Sequence, residues 1–271
     1  MYREFFGLKE NPFNVTSDPS FLFLSRVHKE AFAHLLYGIR ERKGFLEITG
    51  EVGAGKTTLC RALLHQLDRN TKTAFVFNST LPEKQLFQSI LEDFGMAADK
   101  KNKISMLKQL HKFFLDEIAK GNNVVLIIDE AQNLKLSVLE EIRMLSNLET
   151  EKEKLLQIVL VGQPELKKKL ELPELRQLRQ RIVVRFHIPG MAEDEIREYI
   201  DHRLRIAGSN GGISFSEESV ESVYKYTGGI PRVINLVCDK ALLAAYVIET
   251  KDISLALIDR AINELEGRMT Q

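Results

Sequence analysis

Phe45-Leu46-Glu47-Ile48-Thr49, followed at once by Gly50-Glu51-Val52-Gly53-Ala54-Gly55-Lys56-Thr57, is the stretch from which the rest of the chain can be read. The first five residues form a strand-like apolar run. The next eight fit G-x-x-x-x-G-K-[ST], a loop whose glycines let backbone N–H groups curl around phosphate oxygens. Lys56 has the length to reach the β- and γ-phosphates, and the Thr57 hydroxyl is a hard oxygen ligand that suits Mg²⁺. Thr58, Leu59, Cys60, Ala62, Leu63 and Leu64 continue as a helix whose positive N-terminal end would face the anion. An accidental glycine turn would not bring both the strand before it and the helix after it. Gly50, Glu51, Val52, Gly53, Ala54, Gly55, Lys56, Thr57 and Thr58 are therefore expected to bind ATP, with Thr57 also touching Mg²⁺.

Outward from this loop, short apolar and β-branched runs bounded by turn residues predict five strands, at 45–49, 73–77, 124–129, 156–161 and 182–188. Four are continuous rather than alternating, as strands covered on both faces must be. Helical periodicity fills the gaps at 27–42, 57–68, 83–94, 105–119, 137–148 and 165–179. The pattern predicts an α/β fold, a three-layer core around a parallel five-stranded sheet. After His187-Ile188-Pro189-Gly190 the remaining chain reads as helix, at 216–226, 231–248 and 255–265 among others. The expected division is an N-terminal segment at 1–44, the nucleotide-binding core at 45–189 and a small all-helical lid at 190–271.

Further chemistry is marked by where polar residues fall. Val124-Val125-Leu126-Ile127-Ile128 ends in Asp129-Glu130, two carboxylates at the carboxyl tip of a buried strand, where open α/β sheets bind ligands. Asp129 is expected to hold Mg²⁺ through its water shell, and Glu130 to polarise the water that attacks the γ-phosphate. The competing reading is an acidic N-cap for the following helix. Gln163 follows Leu160-Val161-Gly162 at the next strand tip, placed to face the γ-phosphate; it also reads as an ordinary loop amide before Pro164.

Arg176, Arg179 and Arg181 cluster before the last strand. Such clusters are usually solvated helix faces, but a ring ATPase needs an arginine on a subunit edge, and Arg181 is the first candidate for that trans-acting cation. Thr227-Gly228-Gly229-Ile230-Pro231-Arg232 puts a cation at a helix start, where it costs roughly 0.3–1 kcal/mol. A phosphate there would offset the cost, so Arg232 is read as a γ-phosphate sensor. Asn11-Pro12-Phe13-Asn14 lies in an extended aromatic segment, and Asn11 and Phe13 could cover the adenine ring. Phe5, Phe6, Phe21 and Phe23 could equally be packing that segment down.

Composition narrows the partners. With 38 basic and 38 acidic residues, no global field draws the chain to nucleic acid or an anionic membrane. Cys60 and Cys238 are the only cysteines and have no zinc-ligand or C-x-x-C spacing, which favours a reducing cytoplasm. The six histidines show no metal spacing. No signal core or membrane-length apolar run is present, so no direct membrane span is expected. Lys167-Lys168-Lys169 and Glu151-Lys152-Glu153-Lys154 read as solvated faces. No N-K-x-D base-reading motif appears, which argues against GTP.

The order of these features resembles the AAA+ ATPases from end to end: phosphate loop, an intervening strand, Ile-Ile-Asp129-Glu130, polar Gln163, the arginine cluster, then Gly-Gly-Ile-Pro-Arg232. More narrowly, Phe5-Phe6-Gly7-Leu8 with Asn11-Pro12-Phe13, Asp129-Glu130-Ala131-Gln132-Asn133-Leu134, and Val161-Gly162-Gln163-Pro164-Glu165-Leu166 are similar to the ExeA/GspA type. The resemblance implies nucleotide contacts from Gly53, Gly55, Lys56, Thr57 and Thr58, hydrolysis by Asp129 and Glu130, and sensing by Gln163 and Arg232. It also implies work with type II secretion or type IV pilus assembly proteins, peripherally at the inner membrane, and with cell-wall insertion of the secretin. Longer members continue beyond the position of Gln271 into a transmembrane segment and a peptidoglycan-binding domain. A nucleotide-dependent homo-oligomer, with a hexamer as one such ring, is the expected assembly. Related ATPases regulate DNA transposition, so a DNA-bound oligomer is the second reading.

Overall fold

The computed structural model describes residues 2–14, 19–77, 79–97, 102–146 and 154–268. Through the first half run α1 (Tyr2–Phe6), α2 (Arg26–Arg40), β1 (Phe45–Gly50), α3 (Lys56–Gln66), β2 (Thr71–Val76), α4 (Glu83–Asp93), α5 (Lys103–Ala119) and β3 (Asn123–Ile128). There follow α6 (Leu136–Leu145), β4 (Gln157–Gly162), α7 (Pro164–Leu170), α8 (Arg176–Arg181) and β5 (Ile182–Ile188). The chain then continues through α9 (Glu193–Ile206), β6 (Ser214–Phe215), α10 (Glu217–Thr227), α11 (Pro231–Val247), β7 (Asp252–Ile253) and α12 (Leu255–Leu265). Two compact units result, one of His28–Gly50 with Leu59–Ile188, the other of Met1–Val27, Glu51–Thr58 and Pro189–Gln271.

The first unit is the α/β core expected from sequence. Its sheet runs β2-β3-β4-β1-β5 with every pairing parallel. β1 and β4 are buried along their whole length and β3 along all but its first residue, as central strands covered on both faces require. β5 closes one edge and is the strand that alternates, burying Ile182, Val184 and Ile188 and exposing Val183 and Arg185. On one face Phe45, Leu126, Ile128, Ile158 and Leu160 join Leu86, Ile90, Leu110, Phe114, Leu139 and Ile142 from α4, α5 and α6 in a single apolar cluster. On the other face α2 comes so close that a β-carbon on Gly38 would lie 2.3 Å from Leu46 Cδ2. A parallel sheet puts the carboxyl ends of β1, β3 and β4 along one edge, with Thr49 beside Gly162 and Ile128 beside Leu160.

The continuous helix expected over 165–179 is in fact two. α7 stops at Leu170, a short 3-10 turn covers Pro173–Leu175, and α8 begins at Arg176. Pro173 accounts for the break, since it has no N–H to give the helix and its ring disfavours helical backbone in the residue before it. The expectation of helix through 148 lies partly outside the described residues, α6 ending at Leu145. Glu151, Lys152 and Glu153 of the predicted solvated run also lie outside them.

The second unit gathers both ends of the chain around one apolar cluster. Phe6, Leu8, Phe13 and Phe21 pack there with Ile196, Tyr199 and Ile200 of α9 and Val237, Cys238 and Ala241 of α11. The first 27 residues therefore group with the C-terminal helices rather than leading into the core, and Glu51–Thr58 groups with them as well. The unit is not purely helical, because β6 and β7 form a short parallel pair, Ser214 beside Asp252 and Phe215 beside Ile253. Arg203 ties it together: its Nε and Nη2 donate to the carbonyls of Pro12 and Asn14, and Nη1 donates to Tyr199 Oη at 3.1 Å. Its guanidinium stands 4.8 Å from the centre of the Phe21 ring. Among the described residues, no helix is long and apolar enough to cross a membrane.

Candidate functional site

The phosphate loop leaves the carboxyl end of β1 and turns into α3 with Ala54 N–H donating to Glu51 O at 3.1 Å. Gly53 and Gly55 have φ of +83° and +90°, left-handed values that a side chain resists. Space excludes one at 53 as well, because its β-carbon would lie 2.3 Å from Arg232 Cβ. Lys56, buried at the start of α3, donates its Nζ to Glu51 O at 2.8 Å, so the ammonium curls over its own loop. Thr57 and Thr58 are half-buried in the first turn of the helix.

Arg232 meets this loop through its backbone. Its N–H donates to Gly53 O at 3.3 Å, while the side chain is exposed and makes no ion pair among the described residues. The backbone beneath it is set by glycines. Gly229 has φ of +76°, and Met191 N–H donates to its carbonyl at 2.8 Å. A β-carbon at Gly190 would fall 1.9 Å from Gly228 O, so Pro189-Gly190 and Gly228-Gly229 are a close crossing of two backbones. The cation is thus held at a helix start by main-chain contacts, with no acid in that first turn to offset it.

In the core unit, β3 delivers the acid pair. Asp129 is 3 % exposed, and its N–H donates to Val76 O at 2.9 Å. Its Oδ1 accepts the Glu130 N–H at 2.9 Å. Glu130 has φ of +52°, a left-handed conformation that is uncommon for a side-chain-bearing residue and costs about 1–3 kcal/mol. Ser79 Oγ supports it by donating to Glu130 O at 2.6 Å. The Glu130 carboxylate is in turn bonded through Oε2, which accepts from Gln132 Nε2 and, at 3.0 Å, from Gln163 Nε2. Gln163 sits at the N-cap of α7 with Pro164 following, and its N–H donates to Gln132 Oε1 at 3.1 Å. The core thus gathers Asp129, Glu130 and Gln163 at neighbouring strand tips.

Three expectations change. Phe13 is 1 % exposed and meets Phe215 edge-on, so its ring is spent on packing and has no face for adenine; Asn11, beside it, is half-buried. Arg181 donates to Arg143 O at 3.4 Å and to Ser146 Oγ at 3.1 Å, and burial, then the nearby Arg143 charge, depresses its pKa. It is engaged inside its own unit, whereas Arg176 and Arg179 are exposed. Lys169 is not part of a solvated face: its Nζ donates to Gln132 O and, at 2.8 Å, to Leu134 O, and burial pulls its pKa down. Lys167 and Lys168 are exposed as expected. Sequence reasoning gave Gln132, Ser79 and Arg203 no role, because the bonds that define them span strand tips or chain ends far apart in sequence.

Loop, acid pair and parallel sheet define this chain as a P-loop ATPase of the AAA+ class. The family model described as AAA domain matches residues 39–170. General secretion pathway protein A of Aeromonas hydrophila is 44 % identical over 268 residues, which is 98 % of this chain and 49 % of that protein. The chain matches the ExeA/GspA type of AAA+ ATPase over nearly its whole length, and spans about half the length of that relative. Among solved structures, the Aeropyrum pernix ORC2 protein shares 18 % identity with a TM-score of 0.65, over 90 % of this chain and 71 % of that one. Cdc6p from Pyrobaculum aerophilum shares 16 % with a TM-score of 0.66, over 90 % and 70 %. At such identities the likeness speaks for the fold alone.

Proposed function

We propose that this chain binds Mg-ATP at Glu51–Thr58, hydrolyses it with Asp129 and Glu130, and self-associates in response to nucleotide. The observation that carries the reading is the shared carboxyl edge of the sheet, where β1 ends at the phosphate loop and β3 ends in the acid pair. Lys56 and the loop N–H groups take the phosphates, Glu130 accepts a proton from the attacking water, and Gln163 and Arg232 respond to the γ-phosphate. Asp129 and Thr57 offer hard oxygen donors of the kind Mg²⁺ prefers. Among the described residues no cluster of three or more His, Cys, Asp or Glu could cage a metal. Mg²⁺ itself keeps most of its waters and takes its other ligands from phosphate.

The trans-acting cation of an oligomer falls to Arg179 or Arg176, whose side chains are exposed, rather than to Arg181. By its likeness to general secretion pathway protein A, we assign the chain to assembly or remodelling of a secretion or pilus complex, working from the cytoplasmic side of the inner membrane. Size-exclusion chromatography with and without a slowly hydrolysed ATP analogue tests the oligomer: a shift to larger species supports it, and an unchanged elution volume removes it. Pull-down with inner-membrane secretion proteins tests the partner. ATP-dependent filaments on duplex DNA with steep salt dependence would instead favour the transposition-regulator reading.

A further inference from the structure

We propose that Gln132 is the positioning residue that orients the Glu130 carboxylate to accept a proton from the water that attacks ATP. The inference rests on the hydrolytic reading above and adds to it a residue to which the sequence motifs assign no role. Glu130 Oε2 takes both amide donors, from Gln132 and Gln163, while Oε1 accepts no bond among the described residues. A carboxylate held by two donors on one oxygen cannot turn about its own axis. Its second oxygen then points one way, and that oxygen is the one left to accept a water proton.

The orientation of the Gln132 amide is itself fixed. Its Oε1 accepts the Gln163 N–H at 3.1 Å, and its Nε2 faces the carboxylate. Turning the amide over would set an NH₂ against an N–H and an oxygen against an anion, so only one orientation is bonded at both ends. Room for it comes from β4: a β-carbon on Gly162 would lie 2.6 Å from Gln132 Oε1. Lys169 holds the backbone beneath, donating to Gln132 O and Leu134 O. Gln132 therefore bridges the tips of β3 and β4, and couples the carboxylate to the strand end that carries Gln163. A change at Gln163 is transmitted to Glu130 directly, through their own bond, and again through Gln132.

The test uses the whole chain with Mg-ATP and two variants. Gln132→Met keeps the length of the side chain and removes the donor. It is expected to lower kcat about 10- to 100-fold, as loss of an orienting partner does elsewhere, with ATP Kd by calorimetry within about twofold of wild type. Gln132→Glu keeps both length and acceptor but sets a second carboxylate against the first. Its turnover should recover in part as pH falls, when the new carboxyl regains a proton and with it a donor.

Unchanged kcat in both variants, or a kcat that falls only in step with affinity and melting temperature, would overturn the positioning role. So would a Gln132→Glu pH profile parallel to wild type. If Gln132→Met does not fold, the pH response of Gln132→Glu decides alone. A wild-type chain that binds Mg-ATP but never turns it over overturns the hydrolytic reading and this proposal together; active wild type with equally active variants overturns only the latter.

Discussion

The two units solve the problem of a buried polar group in opposite ways. In the core unit, apolar strands fill the sheet, and Asp129, Glu130, Gln132 and Gln163 converge at its carboxyl edge, linked to one another by hydrogen bonds. In the other unit, Arg203 is 6 % exposed in the middle of an aromatic cluster, and it spends its donors on the Pro12 and Asn14 carbonyls and on Tyr199. The first arrangement stores strain at Glu130 and leaves a carboxylate oxygen for chemistry. The second leaves nothing for chemistry and joins two ends of the chain. Polar groups at a strand tip are thus read as function, and a polar group inside a cluster as architecture.

Glu130→Gln should separate the two most sharply. Turnover should drop by about 10²–10⁴-fold while ATP affinity and melting temperature hold, measured by a phosphate-release assay beside calorimetry and thermal melts. Preserved turnover would take Glu130 out of the reaction and dissolve the contrast. Arg203→Met should do the reverse. Bonds to a charged donor are worth about 1.5–3 kcal/mol each, and two carbonyls are left without it. A loss of roughly 3 kcal/mol in urea denaturation is expected, and an unchanged denaturation midpoint would deny Arg203 its joining role.

Gly53→Ala sharpens the loop. A left-handed backbone costs a side chain about 1–2 kcal/mol, and the added methyl would meet Arg232 Cβ. A stability loss near 1–2 kcal/mol is expected together with weaker ATP binding, and a variant indistinguishable from wild type in both would show that the loop tolerates a side chain at 53.

The smallest effect belongs to Glu47, buried in β1 with Arg185 Nε 3.3 Å from its Oε2. Burial raises its pKa more than the Arg185 and Lys167 charges lower it. A carboxyl whose folded pKa is raised binds its proton more tightly when folded. It therefore stabilises fully below the unfolded pKa and loses that contribution as pH rises through the folded one. Glu47→Gln should flatten this decline above the usual carboxylate range, read as melting temperature against pH. Parallel curves would show that Arg185 fully compensates the burial.

The core was largely legible because its signals are local. The short, largely apolar runs at 45–49 and 124–128, bounded by turn residues, read as central strands, and a Gly-rich stretch or an acid pair directly after such a run names its own position. The split between α7 and α8 was missed because helical periodicity on both sides of Pro173 hid the break, although the proline itself was the signal. The grouping of residues up to Val27 with the C-terminal helices was not legible: Phe6, Phe13 and Phe21 announce that they will be buried, but not by what. Gln132 lay inside a quoted motif without a role, since its meaning depends on a bond to Gln163 across two strands. Lys169 looked solvated because a run of three lysines carries no hint that one of them turns inward to a carbonyl pair.

Calorimetric titration of the wild-type chain and of Lys56→Ala with ATP in the presence of magnesium tests the central claim most directly. Saturable heat for the wild type that disappears in Lys56→Ala is the predicted result. No heat from the wild type, or the same affinity in both proteins, would contradict the assignment of Glu51–Thr58 as a nucleotide site.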